Sequence, residues 1–299
     1  MRPTFSTLAC ASLALLGWLH VAPVAAQAPE LLDASLGPVT VDTRWIEGTP
    51  RRAEIDLSRG TTRIPLYAGR TVRTASAVVG EIVAVAYFHG GPEPFAGVVL
   101  YDLAHTQRRE IEIPVSGAAS PLRPAGIVIA PEPDSFAIVM QEQQADVQAD
   151  VHSVFGRLAL DGTWRAAPHT VSIPWGLAAL AASTEGRYEL AVLFGGWGGG
   201  AAGEARICIV TLSPGGEPTE HPWWASASAA LTDVRLVQTP RALELYYRTM
   251  DGALRRHRFA ADGAWGQEPA AADRVRQLGP SQGFYLHARP DGEIEVVAP

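Results

Sequence analysis

The sequence contains no lysine and no asparagine. Without lysine there is no P-loop, no Schiff base and no Ser-Lys dyad. Without asparagine there is no N-glycosylation acceptor, and Asp-Gly must replace Asn-Gly in tight turns. All 24 Lys/Arg positions are therefore arginine, no long basic run stands out, and the formal net charge is −7. The phosphate neutralisation that drives nucleic-acid binding has no source in such a chain. Cysteine is nearly absent too, with two in 299 residues. Cys10 lies in an N-terminal apolar stretch, and Cys208 lies in the apolar run Ala205 to Leu212. Cys208 reads as an inert buried thiol, and no internal disulfide forms once Cys10 is removed.

The amino terminus has the layout of an export signal. Arg2 gives the positive start, Leu8 to Leu19 the apolar stretch, and Val24-Ala25-Ala26 the small residues before a cleavage point at Gln27. The apolar stretch is shorter than the roughly 20 residues of a membrane span. We expect a signal peptide over residues 1–26, a Pro- and Ala-containing leader over 27–37, and one domain over 38–299. A periplasmic or secreted location follows, with no transmembrane segment after cleavage. The composition, 47% hydrophobic and 18% charged, is that of a globular chain.

Beyond residue 37 the pattern is of short strands separated by turn residues, with no convincing helical period. Turns recur near Arg59, His105, Asp161, Gly215 and Asp262, at intervals close to the ~40–50 residues of propeller blades. We assign them to third-to-fourth strand connections. A second set, at Gly90-Gly91, Ala145 to Asp150, Gly195 to Gly203, Asp251-Gly252 and Asp291-Gly292, is assigned to second-to-third connections. The expected fold is an all-β, five-bladed β-propeller, with six blades and a β-sandwich as the alternatives. Ring closure is expected by pairing Val39–Leu66 with Phe284–Ala288 and Glu293–Val297.

Two of the turns share a pattern, Asp161-Gly162-Thr163-Trp164 and Asp262-Gly263-Ala264-Trp265. In these the chain resembles secreted propellers of the sialidase-like and lectin-type families. The sialidase box also has Ser or Thr before its Asp and a spacer before its Gly. Here Leu160 and Ala261 precede the aspartates and Gly follows directly. The resemblance therefore implies a fold and no functional residues.

Motifs with chemical precedent fail on context. Gly198 to Gly203 matches G-x-G-x-x-G, but the β-branched run Ile207-Cys208-Ile209-Val210-Thr211 follows where a helix is required. Gly279 to Gly283 matches G-x-S-x-G around Ser281, yet a strand pattern follows and no acid lies between Ser281 and His287. No histidine pair has tight metal-ligand spacing, and no cofactor is expected.

A glycosidase needs two converging carboxylates. The segments read as innermost strands, Thr74–Val79, Ala125–Ile129, Leu177–Ala182, Ser226–Leu231 and Val275–Leu278, carry none. This favours a non-enzymatic module binding a glycan or protein partner through one loop face. The candidate ligand-binding residues are Trp197, His89, Trp175, Arg248, Asp251, His287 and Arg289, with Trp197 foremost because its glycine-rich surroundings offer little to bury it. Trp175, Trp223 and Trp224 also suit packing between blades. The alternatives are a carbohydrate-active hydrolase or lyase using loop carboxylates and a histidine, and a structural envelope component. Whether the chain is an enzyme stays open at this level.

Overall fold

The computed structural model describes residues 30–46, 52–69, 73–89, 95–114, 122–144, 151–173, 176–183, 186–194, 205–219, 223–227, 231–260, 272–279, 282–289 and 291–298. Among them every regular element is a β-strand. Five antiparallel four-stranded sheets follow one another along the chain. The first blade holds β1 (Glu30–Ala34), β2 (Gly37–Ile46), β3 (Arg52–Arg59) and β4 (Thr62–Gly69). The second holds β5 (Arg73–Val79), β6 (Ile82–His89), β7 (Phe95–Asp102) and β8 (Gln107–Ile113). The third holds β9 (Leu122–Pro131), β10 (Ser135–Gln144), β11 (Val151–Ala159) and β12 (Trp164–Val171). The fourth holds β13 (Leu177–Ala182), β14 (Tyr188–Phe194), β15 (Ala205–Leu212) and β16 (Trp223–Ala227). The fifth holds β17 (Leu231–Gln238), β18 (Ala242–Thr249), β19 (Ala253–Ala260) and β20 (Asp273–Gln277). A two-stranded sheet, β21 (Tyr285–Ala288) with β22 (Ile294–Val297), ends the chain. The fold is a five-bladed β-propeller, as the turn spacing predicts.

Successive blades pack through their first strands, β1 on β5, β5 on β9, β9 on β13 and β13 on β17. The core is correspondingly divided into layers between blades. Alternate residues of a strand face opposite neighbours, so in β14 Tyr188, Leu190 and Val192 pack toward the third blade. Ala191 and Leu193 pack toward the fifth. The last hairpin fills the gap between the fifth and first blades. Phe284 and Leu278 join Tyr246 and Leu254 in a small apolar seam, and β21 packs against β1.

Ring closure differs from the expectation. Val39–Leu66 lies in β2, β3 and β4 of the first blade, and the C-terminal hairpin pairs only with itself among the described residues. The first blade is complete without it, because β1 supplies the strand that the hairpin was expected to add. That strand lies inside 27–37, the stretch read as a leader; five residues were too few to show a pattern.

The third-to-fourth turns fall where expected around Arg59, His105, Asp161 and Gly215, while the fifth, with Asp262–Trp265, lies outside the described residues. At Asp161-Gly162 the carboxylate accepts from the Thr163 amide (2.9 Å) and hydroxyl (2.6 Å), and Gly162 adopts φ 85°. These turns, with the first-to-second turns, define a lower face. Second-to-third loops and blade linkers define an upper face.

Candidate active site

The innermost strands are β1, β5, β9, β13, β17 and β21, which corrects the phasing of the fifth blade. The segment 223–227 is the outermost strand β16, paired with β15, and 273–277 is the outermost strand β20, paired with β19. The true inner strand of the fifth blade is β17, and it carries Asp233 and Arg235. In β1 the inner strand of the first blade carries Glu30 and Asp33. Inner strands therefore do carry carboxylates.

Three of these side chains, Glu30, Asp233 and Arg235, lie toward the upper ends of β1 and β17 within electrostatic reach of one another. In β17, Val234 and Leu236 face the apolar layer of the fourth blade. Strand alternation turns Asp233 and Arg235 the other way, toward the gap occupied by the short hairpin. Arg235 Nε lies 3.2 Å from Asp233 Oδ1, and its guanidinium sits 5.8 Å from the centre of the Phe284 ring. Glu30 opens β1 and accepts a hydrogen bond from the Ser76 hydroxyl of β5. Burial raises the Glu30 pKa; the Arg235 charge and the Ser76 bond oppose that rise, and the Asp233 charge adds to it. Burial also disfavours the Arg235 charge, but the Asp233 and Glu30 carboxylates outweigh it and hold the guanidinium protonated. Asp233 and Arg235 keep side-chain exposures of 18% and 23%, so the cluster is deep yet reached by solvent.

Arg248 of β18 stands directly across from Asp233 and is buried, donating from Nη1 to the Gln282 carbonyl at 2.9 Å. It ties the fifth blade to the segment entering β21 beside the cluster. Asp251 sits at the tip of the β18–β19 turn on the same face. It accepts from the Thr249 hydroxyl and the Ala253 amide, and Gln277 donates to its carbonyl, so its role is to shape the turn. Gly252, at φ 85°, is required there, because a Cβ would stand 2.3 Å from the Leu278 carbonyl oxygen.

The remaining candidates divide. His89 ends β6 at its upper end, opposite Phe95. Trp175 and Trp197 lie outside the described residues. Trp223 and Trp224 open β16, the outermost strand of the fourth blade. His287 and Arg289 lie on the lower face, not with the candidate loops. His287 bonds the Asp33 carboxylate, and Arg289 Nη2 pairs with Glu295 at 2.9 Å. The cause is the phasing of Asp291-Gly292, which is a first-to-second turn. It rests near Pro240, and neighbouring Glu293 pairs with Arg241 and Arg258 of the fifth blade.

Sequence reasoning missed Glu30, Asp233 and Arg235. Their signal was an alternation, Asp233-x-Arg235 set against Val234 and Leu236, and Glu30 set two residues before Leu32. Among the described residues no group of three His, Cys, Asp or Glu could hold a metal ion.

No protein-family model and no characterised protein matches the sequence. Solved structures share the fold. An α-L-arabinanase of Penicillium chrysogenum complexed with arabinobiose superposes with a TM-score of 0.58 at 11% identity, over 89% of this chain and 86% of that one. The α-L-arabinofuranosidase of Fusarium graminearum in complex with arabinobiose gives 0.55 at 11%, over 91% and 92%. A protein of unknown function from Dyadobacter fermentans gives 0.53 at 12%, over 90% and 92%. At these identities the likeness establishes the propeller. The expectation of a non-enzymatic binding module is nonetheless overturned. Two of these structures, matched along most of the chain, are an arabinanase and an arabinofuranosidase. The premise of carboxylate-free inner strands also fails at Glu30 and Asp233.

Proposed function

We propose that this protein is a carbohydrate-active glycoside hydrolase whose acid-base pair is Glu30 and Asp233. The observation that carries this reading is that β1 and β17 bring them close enough for Glu30 to feel the charges of both Asp233 and its ion-pair partner Arg235. Glycoside hydrolysis needs one carboxyl group that stays protonated and one that stays ionised. Burial raises the Glu30 pKa, the direction the first requires, and Asp233 pairs with Arg235 beside it. Glu30 donates its proton to the leaving glycosidic oxygen. Asp233 acts on the opposite side of the anomeric carbon, either attacking it or taking a proton from water as water attacks. The distance between the two carboxyl groups with a sugar bound selects between retention and inversion.

The likeness to an arabinanase and an arabinofuranosidase supports arabinose-containing glycans as the first substrates to assay. Trp175 and Trp197, in the segments before β13 and between β14 and β15, are proposed to stack against sugar rings, with His89 beside them. Export to the periplasm or beyond, after removal of residues 1–26, suits a hydrolase of extracellular glycans and keeps the propeller as one domain.

The test is turnover of aryl glycosides and arabinan by the wild type, Glu30→Gln and Asp233→Asn. Loss of about 10²–10⁴-fold in kcat in each variant, with folding intact, is expected for a general acid or base. Wild-type turnover that persists in both variants overturns the assignment.

A further inference from the structure

The inner strands differ in what they turn toward neighbouring blades. Residues 126–130 of β9 and 177–182 of β13 are apolar or glycine. β5 departs from this pattern. Its Ala75, Ala77 and Val79 pack toward the third blade, and strand alternation turns Thr74, Ser76 and Val78 toward the first. Val78 joins the apolar layer between the first two blades. Thr74 is buried, and its hydroxyl meets that of Thr43 on β2 at 3.1 Å. Between Thr74 and Val78, the Ser76 hydroxyl donates to Oε2 of Glu30.

Ser76 brings a second donor to the same carboxyl group. The β5–β6 hairpin turns on Gly80 and Glu81 alone, with Val79 opposite Ile82. In the antiparallel ladder that starts there, the Ser76 amide points away from β6. On that side β5, the innermost strand of its sheet, has no strand partner. The Ser76 amide instead bonds Glu30. One residue therefore grips one carboxyl group with both an N–H and an O–H. The charged groups acting on Glu30 are Arg235 and Asp233 of β17. The blades do not depend on this grip for their union. The Thr43–Thr74 bond ties them above it, and below it the Ser35 amide donates to the Gly80 carbonyl at 3.0 Å. Leu32, Val41, Val83 and Val85 pack in the layer between.

We infer that Ser76 is the positioning residue of Glu30, holding its carboxyl group against the free inner edge of β5 in the orientation from which it gives up a proton. The inference rests on the hydrolase reading for the reaction and on the Ser76 bonds for the geometry. As the proton passes from Glu30 to the leaving glycosidic oxygen, the bond from that oxygen to the anomeric carbon breaks and Glu30 becomes a carboxylate. The Ser76 hydroxyl keeps its own proton. Hydrogen bonds to a charged acceptor are stronger than those to a neutral one. The Ser76 bonds therefore tighten as charge develops on Glu30, and stabilise the transition state more than the ground state.

The test compares the wild type with Ser76→Ala and Ser76→Thr. Alanine already flanks the position at 75 and 77, and threonine already faces the same layer at 74, so both variants should fold. The first readout is the titration of Glu30, followed by carboxyl carbon-13 NMR and assigned by its absence in Glu30→Gln. The hydroxyl bond lowers the Glu30 pKa, so Ser76→Ala should move the titration upward and Ser76→Thr should return it. The second readout is glycoside turnover. In Ser76→Ala, kcat should fall about tenfold with KM unchanged, and the alkaline limb of kcat/KM should move to higher pH. Ser76→Thr should restore both. Adding Ser76→Ala to Glu30→Gln should cost nothing further, since the two residues act as a unit. An unmoved Glu30 titration, an unchanged kcat, or a loss that adds in full to that of Glu30→Gln overturns the inference. A lower melting temperature with a fixed alkaline limb also overturns it, leaving Ser76 as a tie between blades. If the titration moves as expected but the wild type cleaves no glycoside, the hydrolase reading falls and the hold of Ser76 on Glu30 stands.

Discussion

Two buried acidic side chains, Glu132 near the lower face and Glu30 near the upper, differ in whether their partners or burial wins the contest over the carboxylate's pKa. Glu132 lies in the lower turn between β9 and β10, with its side chain 6% exposed. Burial alone would raise its pKa. Hydrogen bonds from the Ser135 hydroxyl, the Tyr188 hydroxyl (2.7 Å) and Arg157 (Nε at 3.1 Å) outweigh burial and lower it. At Glu30, near the upper face, burial outweighs the Arg235 charge and the Ser76 bond, the Asp233 charge adds to it, and the pKa is raised. The first is a bolt joining the third blade to the fourth, and its acceptor sites are filled. The second has a raised pKa, the direction expected of a carboxyl group that gives up a proton in a reaction. The lower mouth otherwise holds an apolar cavity of about 290 Å³ lined by Val78, Val79, Pro131, Pro133 and Ala182.

The largest effects should come from exchanging these behaviours. Glu132→Gln strips the charge that Arg157 and Tyr188 answer, and breaking such a buried pair costs on the order of 3–5 kcal/mol. Chemical denaturation should show that loss, whereas Glu30→Gln should melt no lower than the wild type at neutral pH. A Glu132→Gln protein as stable as the wild type would erase the contrast.

A third carboxylate sharpens it. Glu189 on β14 has one strong partner, the Thr211 hydroxyl at 2.9 Å, and burial raises its pKa to about 7. A folded pKa above the unfolded one means stability is fully present below about pH 4.5 and declines as pH rises through 7. The size is about 3 kcal/mol. Denaturation midpoints measured from pH 4 to 8 should fall in the wild type and flatten in Glu189→Gln. Glu132 acts with the opposite sign, its stabilisation present above the unfolded carboxylate pKa and lost as pH falls.

A smaller effect is expected at the site. The Arg235 charge lowers the Glu30 pKa, so Arg235→Met should let Glu30 hold its proton to higher pH. The alkaline limb of the kcat/KM profile should move upward, even as overall activity drops. A limb that stays fixed would show that another group is the acid. The smallest effect belongs to the Asp161 turn. Asp161→Ala removes two local hydrogen bonds and should lower the denaturation midpoint only slightly, with no change in catalysis.

The sequence by itself determined the repeat. Turn residues at Arg59, His105, Asp161 and Gly215 mark blade edges because Gly and Asp tolerate the backbone angles that tight turns demand. Alternation marked most strands, and Arg248 was legible as a site neighbour because its turn was legible. Which strand of each blade stands innermost was decided only by the tertiary structure. Moving one turn, Asp291-Gly292, from one connection class to another carried His287 and Arg289 to the wrong face. Starting the fifth blade a few residues early hid Asp233 and Arg235. Glu30 and Asp233 are some two hundred positions apart, and no local pattern encodes their meeting. It arises because the ring closes, bringing the first and fifth blades to either side of a hairpin too short to separate them.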